Sequence, residues 1–138
     1  GRIEVDVEHS NADAVLEAAR PLIEELERSR EREALERLGE RSVAGVANVL
    51  PPLHERRVEV LLLDEQFGEV PGVQCLECGW LGLEGDRCPA DGSELVQLED
   101  LTEAMIELSV QQSAELLVVR HAREELERHG GAAALLRF

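Results

Sequence analysis

Arg57-Val58-Glu59-Val60-Leu61-Leu62-Leu63-Asp64 is the stretch on which the fold turns. It alternates apolar and charged as far as Val60 and then runs continuously apolar, the pattern of a central strand in a sheet covered on both faces. Such sheets belong to α/β architectures, and the flanking segments supply the helices. Upstream, Ser42 is placed to cap a short helix carrying Val43, Val46, Ala47 and Leu50, which Pro51 and Pro52 would terminate. Downstream, Asp100 with Glu103 forms an acidic version of the capping box, and Leu101, Ala104, Met105 and Leu108 give that helix one buried face. Ala114 to Arg120, with Leu116, Leu117, Val118 and Val119, predicts a second buried strand. Glu124 to His129 predicts a helix ended by Gly130, and Ala132 to Phe138 a last strand. The expected architecture is a three-layer α/β/α sandwich with a small mixed sheet.

The N-terminal third reads differently. Ile3, Val5 and Val7 alternate with Glu4, Asp6 and Glu8, the period of a strand or extended arm. From Asn11, a candidate N-cap, Ala12, Val15, Leu16, Ala19, Leu22, Ile23 and Leu26 fall on one helical face, and Pro21 should kink or restart that helix. Glu24 with Arg28 and Glu33 with Arg37 stand at i, i+4. The segment from Glu24 to Arg41 is thus expected to be an exposed, charge-laced helix with Ala34, Leu35 and Leu38 as its apolar contacts, suited to connecting two domains.

Between the central strand and the capped helix lie two short ligand-rich motifs, Cys75-Leu76-Glu77-Cys78-Gly79 and Cys88-Pro89-Ala90-Asp91-Gly92. Paired ligands spaced by two residues, each pair followed by glycine, are the half-sites of a zinc knuckle. Asp91 stands where a standard ribbon has its fourth cysteine. A carboxylate oxygen can complete a tetrahedral Zn site, so Cys75, Cys78, Cys88 and Asp91 form the candidate metal set, with a weaker grip than four thiolates. The competing readings are a degenerate knuckle that keeps three reduced thiols without metal, and disulfide or redox chemistry. Residues 73–98 are expected to be an insertion at one end of the sheet, Leu95, Val96 and Leu98 returning along its hairpin. Trp80, between the half-sites, is expected to pack over the knuckle.

At 138 residues, 43% hydrophobic, the chain is long enough for one globular domain with an appendage. Its formal charge of -16 and its three aromatic residues, Phe67, Trp80 and Phe138, weigh against nucleic-acid binding, which needs counterion release and stacking platforms. No apolar run has the length of a membrane span, and no signal segment opens the sequence. Three cysteines at ligand spacing fit a reducing compartment, so a cytoplasmic location is expected. Asp64 and Glu65 close the central strand, but with no partnering His, Lys or nucleophile they read as solvated loop charges. His54 and His121 flank predicted strands; a ligand role for either is weighed against the commoner surface or helix-end histidine. A hydrolase using Asp64, Glu65 and metal is disfavoured, because three thiolates and a carboxylate leave no open position for water.

Taken together, three segments resemble the C-terminal domain of archaeal and eukaryotic class 1 release factors and their Pelota relatives. Ala44-Gly45-Val46-Ala47-Asn48-Val49-Leu50 running into Val58 to Leu63 resembles that domain's opening helix and strand. The Cys75 to Gly92 knuckle is similar to a minidomain inserted after this strand in some members. Gly130-Gly131-Ala132-Ala133-Ala134-Leu135-Leu136-Arg137-Phe138 resembles the family's Gly-Gly-Ile-Gly-Ala-Leu-Leu-Arg-Tyr ending. With the acidic, Arg-rich leading helix, the chain looks most like the bacterial archaeo-eukaryotic release factor group. The resemblance implies residues 1–41 as the end of a preceding domain and a connector helix, and 42–138 as a release-factor C-terminal-like α/β domain with 73–98 inserted. It also implies a non-catalytic docking domain whose partners are a ribosomal protein or a translational GTPase. The family's catalytic Gly-Gly-Gln tripeptide does not occur in the chain. A zinc-stabilised protein-interaction module without a ribosomal role is the alternative.

Overall fold

The central strand lies where its pattern puts it. In the computed structural model, which describes the backbone of residues 2–137 and the side chains of residues 13–137, strand β2 (Val58–Asp64) pairs on one side with β6 (Glu115–Val119) and on the other with β7 (Ala132–Leu136). The β2–β6 pairing is parallel and the β2–β7 pairing antiparallel, and β1 (Ser42–Ala44) closes the far edge on β7. The mixed sheet therefore runs β1-β7-β2-β6. Its register shifts between Val58 and Val60, so the exposed Glu59 acts as a bulge. Beyond the bulge the alternation resumes, and the strand feeds two cores.

On one face, Val58, Leu61 and Leu63 join Ala132, Ala134 and Leu136 beneath α2 (Val46–His54) and α3 (Leu101–Gln111), which contribute Val49, Leu50, Leu53, Leu101 and Met105. On the other, Val60, Leu62, Val119, Ala133 and Leu135 meet Ala34 and Leu35 of α1 (Arg2–Glu36) and Leu126 of α4 (Arg123–Glu127). Leu61 and Leu62 are both fully buried, each worth about 1.5–3 kcal/mol relative to exposure. This is the expected α/β/α sandwich with a long N-terminal helix. The alanines of β7 leave room for helices to approach on both sides.

Several local expectations give way. Residues 3–7 and 11 lie inside α1, not in a strand or at a cap, and the helix continues through Pro21. An isolated alternating pentapeptide has no strand to pair with, whereas extending an existing helix costs no new nucleus. Pro21 removes a hydrogen bond to the carbonyl of Glu17, but both residues are exposed, leaving that carbonyl to water. Among the described residues, the ion pairs of α1 run from Arg30 to Glu115 and from Glu27 to His121, and Arg37, just past its end, pairs with Glu59, so the helix is tied to the body and not along its own surface.

Ser42 begins β1, and its hydroxyl accepts the Gly39 N–H at 2.6 Å; Gly45, at φ 86°, stands before α2 instead. Pro51 and Pro52 sit inside α2. The carbonyls they leave without donors belong to Ala47 and Asn48, which are exposed. Strand β6 is half-buried, because nothing in the sheet pairs beyond it. Asp64 is not a solvated loop charge. It ends β2 buried, accepting from Arg123 Nε at 2.6 Å and from the Gln66 N–H at 2.9 Å. Burial alone would push its carboxyl up; the Arg123 and Gln66 bonds outweigh that and hold it below the usual carboxylate range.

Candidate metal centre

Residues 72–98 fold into a second, smaller sheet. Strand β3 (Gly72–Cys75) is flanked by β4 (Leu81–Gly82) and β5 (Leu95–Leu98), both antiparallel to it, in the order β4-β3-β5. Leu95 to Leu98 thus returns along the hairpin as the pattern requires.

The two half-sites are one turn built twice. The Cys75 N–H donates to the Trp80 carbonyl and the Gly79 N–H to the Cys75 carbonyl; thirteen residues on, the Cys88 N–H donates to Ser93 and the Gly92 N–H to Cys88, all at 2.8 Å. Gly79 and Gly92 close the turns at φ 85° and 78°, a region that disfavours side chains, which is why each ligand pair is followed by glycine. Each turn also aims backbone at sulfur, Cys78 N–H to Cys75 Sγ at 3.5 Å and Ala90 N–H to Cys88 Sγ at 3.4 Å.

The turns bring all four candidate ligands together. Their donor atoms lie within 4.8 Å of one another, with Cys78 Sγ 3.5 Å from Cys88 Sγ and Cys75 Sγ 3.5 Å from Asp91 Oδ2. Zinc bonds of about 2.3 Å to sulfur and 2.0 Å to oxygen set tetrahedral edges of roughly 3.5–3.8 Å. The cluster therefore fits a four-coordinate ion. Asp91 Oδ1 accepts the Ser93 N–H at 2.8 Å, which orients the carboxylate and leaves Oδ2 directed to the cluster.

The electrostatics of the four side chains show what a cation would relieve. The Ser93 N–H, with further bonds from Ser93, Cys88 and Cys75, holds the Asp91 carboxyl at about 2, ionised throughout the neutral range. The Cys78 thiol is drawn down by the Trp80 N–H, but partial desolvation beside the other groups, the neighbouring thiols and the Asp91 charge push it up to about 11. Cys75 is lowered, chiefly by the Cys78 N–H. Anionic ligands crowded this closely compete for protons, and a divalent ion would displace those protons. We expect Asp91→Cys to bind zinc at least tenfold tighter, measured by competition with a chromogenic chelator; unchanged affinity would remove Asp91 from the ligand set.

His54 is not a ligand here. Its Nε2 accepts the Leu81 N–H at 3.1 Å, and its ring stacks on Trp80 with centroids 5.7 Å apart. Burial lowers its pKa, and the neutral ring is the form that can accept from Leu81. With Leu81 inserted into the main core, this contact fastens the knuckle to α2. Trp80 packs over the knuckle as expected, and a Cβ at residue 82 would fall 2.2 Å from its ring, so glycine is required there. His121 is paired with Glu27, 3.0 Å away. The side chain of His9 lies outside the described residues.

One important group escaped the sequence reading. Glu31 is buried at 1% exposure, and its Oε1 accepts the backbone N–H groups of Arg120, His121 and Ala122 at 3.2, 2.9 and 3.0 Å. Its signal was helical register: Glu31 precedes Ala34, Leu35 and Leu38 by three, four and seven residues, the spacing of a core face.

No described helix is long and apolar enough to cross a membrane. No protein-family model matches the chain, and no curated protein matches it. Among solved structures, the C-terminal domain of a peptide chain release factor from Methanosarcina mazei is similar at 24% identity over 94% of both chains, with a TM-score of 0.64. An archaeal translation termination factor is similar at 20% identity over 87% of this chain and 25% of its own, with a TM-score of 0.41. The chain has the fold of a release-factor C-terminal domain.

Proposed function

We propose that the chain is a non-catalytic docking domain of a ribosome-associated, release-factor-like protein, stiffened by one zinc ion on Cys75, Cys78, Cys88 and Asp91. The observation that carries this reading is the likeness in fold to a release-factor C-terminal domain across 94% of both chains. In this reading residues 1–41 are the end of a preceding domain and a connector helix whose last turns sit on the sheet, and 42–138 are the docking domain with the knuckle at 73–98. Zinc held by three thiolates and a carboxylate is structural, with no position left for a reacting water. A net charge of -16 directs the surface to basic protein partners, such as a ribosomal protein or a translational GTPase, in the cytoplasm.

The test is co-sedimentation of the chain with bacterial ribosomes at two salt concentrations, beside a version with residues 42–138 deleted. Binding that requires 42–138 and weakens with salt is the expected result. A chain that stays in the supernatant at both salts overturns the ribosomal reading and favours a zinc-stabilised interaction module with other partners.

A further inference from the structure

We propose that the knuckle is also a site of covalent modification, in which a hydroperoxide joins Cys78 and Cys88 in an intramolecular disulfide. The four ligand atoms divide into two edges: Cys78 Sγ and Cys88 Sγ at 3.5 Å, and Cys75 Sγ with Asp91 Oδ2 at 3.5 Å. A disulfide is about 2.0 Å long, so the first edge closes by a movement of roughly 1.5 Å shared between two surface turns. Cys78 is the exposed thiol, whereas Cys75 and Cys88 are buried. The oxidant therefore meets Cys78 first. Cys75 is fixed on β3, with its sulfur held by the Cys78 N–H and facing the Asp91 carboxylate, which leaves Cys88 as the partner.

The chemistry balances in two steps. Cys78 loses its proton to solvent and attacks the peroxide, whose O–O bond breaks; Cys78 becomes a sulfenic acid and the other oxygen leaves as water or alcohol after taking a proton from solvent. The Cys88 sulfur then attacks the Cys78 sulfur, the S–O bond breaks, and the hydroxyl leaves with the Cys88 proton as water. Two thiols lose two electrons to one hydroperoxide.

The aspartate sets the limit of this reaction. Three sulfurs permit a single intramolecular disulfide, so Cys75 stays outside it as a thiol, within 4.8 Å of the others. Cys75 and Asp91 alone cannot complete a four-ligand shell, so closing the disulfide releases the metal. The spared thiol is also placed to reopen the bond by exchange when a dithiol is supplied. The metal-release half rests on the zinc reading above, whereas the disulfide depends only on the sulfurs.

The experiment treats the full chain, zinc-loaded and metal-free, with hydrogen peroxide beside a chromogenic zinc chelator, then maps thiols by mass spectrometry after denaturing alkylation. Expected are a mass loss of about 2 Da, Cys78 and Cys88 in one linked peptide pair, Cys75 alone alkylated, one zinc released per disulfide, and reversal by a dithiol. A disulfide containing Cys75, a cross-linked dimer, or oxygen added to sulfur without any disulfide would overturn the proposal. If the protein never holds zinc yet forms the Cys78–Cys88 bond, the metal reading fails and the modification stands. Zinc release without that bond leaves the metal reading intact and sinks the modification.

Discussion

Cys75→Ser is expected to abolish stoichiometric zinc binding and to unfold residues 72–98 while leaving the main sheet intact. Cys75 ends β3, fully buried, and has two roles in the zinc reading: it is the candidate ligand that touches Asp91, and it is one of four buried side chains, with Val73, Cys88 and Leu95, that form the knuckle's own core. Four side chains of its own, with Leu81 in the main core, bury little apolar surface for some twenty-five residues, so in the zinc reading the ion supplies the difference. A serine hydroxyl is a poor zinc ligand and cannot replace it. The main sheet has separate cores on its two faces, and neither includes a candidate ligand; of the knuckle's buried residues only Leu81 enters one of them. Hydrogen exchange should therefore accelerate on the order of 100-fold across β3 and β5 and stay near wild type in β2 and β7. Chelation of the wild type should reproduce the same pattern. Uniform protection in both cases would mean that the turns stand without metal, as a degenerate knuckle would.

The sequence exposed those parts of the protein whose pattern is set by a single strong term. Continuous burial made β2 legible, and ligand spacing with trailing glycines made the two turns legible down to the residues that converge. Elements decided by tertiary pairing were not. Ser42 to Ala44 is a strand only because β7 offers an edge, and no local preference in that tripeptide says so. Residues 3–7 alternate as a strand would, yet join a helix propagated from downstream. Asp64 looked like a surface charge because its partner, Arg123, is 59 residues away in sequence. The attachment of the knuckle was equally hidden, since the His54–Leu81 bond spans 27 residues and involves a backbone donor. Long-range polar contacts leave no periodic trace, and they fix how the pieces are joined.

Glu31 is the clearest such joint, and removing it should be among the costliest single changes outside the apolar core. Three consecutive N–H groups after β6 converge on one carboxylate oxygen that comes from α1, about 90 residues earlier. Glu31→Ala leaves those donors without their acceptor. Water can reach part of the exposed Arg120 and His121 backbone, so the expected loss is about 3 kcal/mol, short of three full desolvation penalties. For a domain of this size, that lowers the melting temperature by roughly 10 °C. Helix propensity works in the opposite direction, since alanine favours α1, so a loss cannot be ascribed to the helix itself. Glu31→Gln keeps a carbonyl acceptor of the same reach and should lose only about 1 kcal/mol. Glu27→Ala, which breaks the more exposed pair with His121, should change melting little. The order of the three variants is the test, read by thermal denaturation with hydrogen exchange at Arg120, His121 and Ala122. If Glu31→Ala melts with Glu27→Ala, α1 is held on the sheet by the Ala34 and Leu35 packing and the Arg30–Glu115 pair, and the buried carboxylate only fills a gap in the loop.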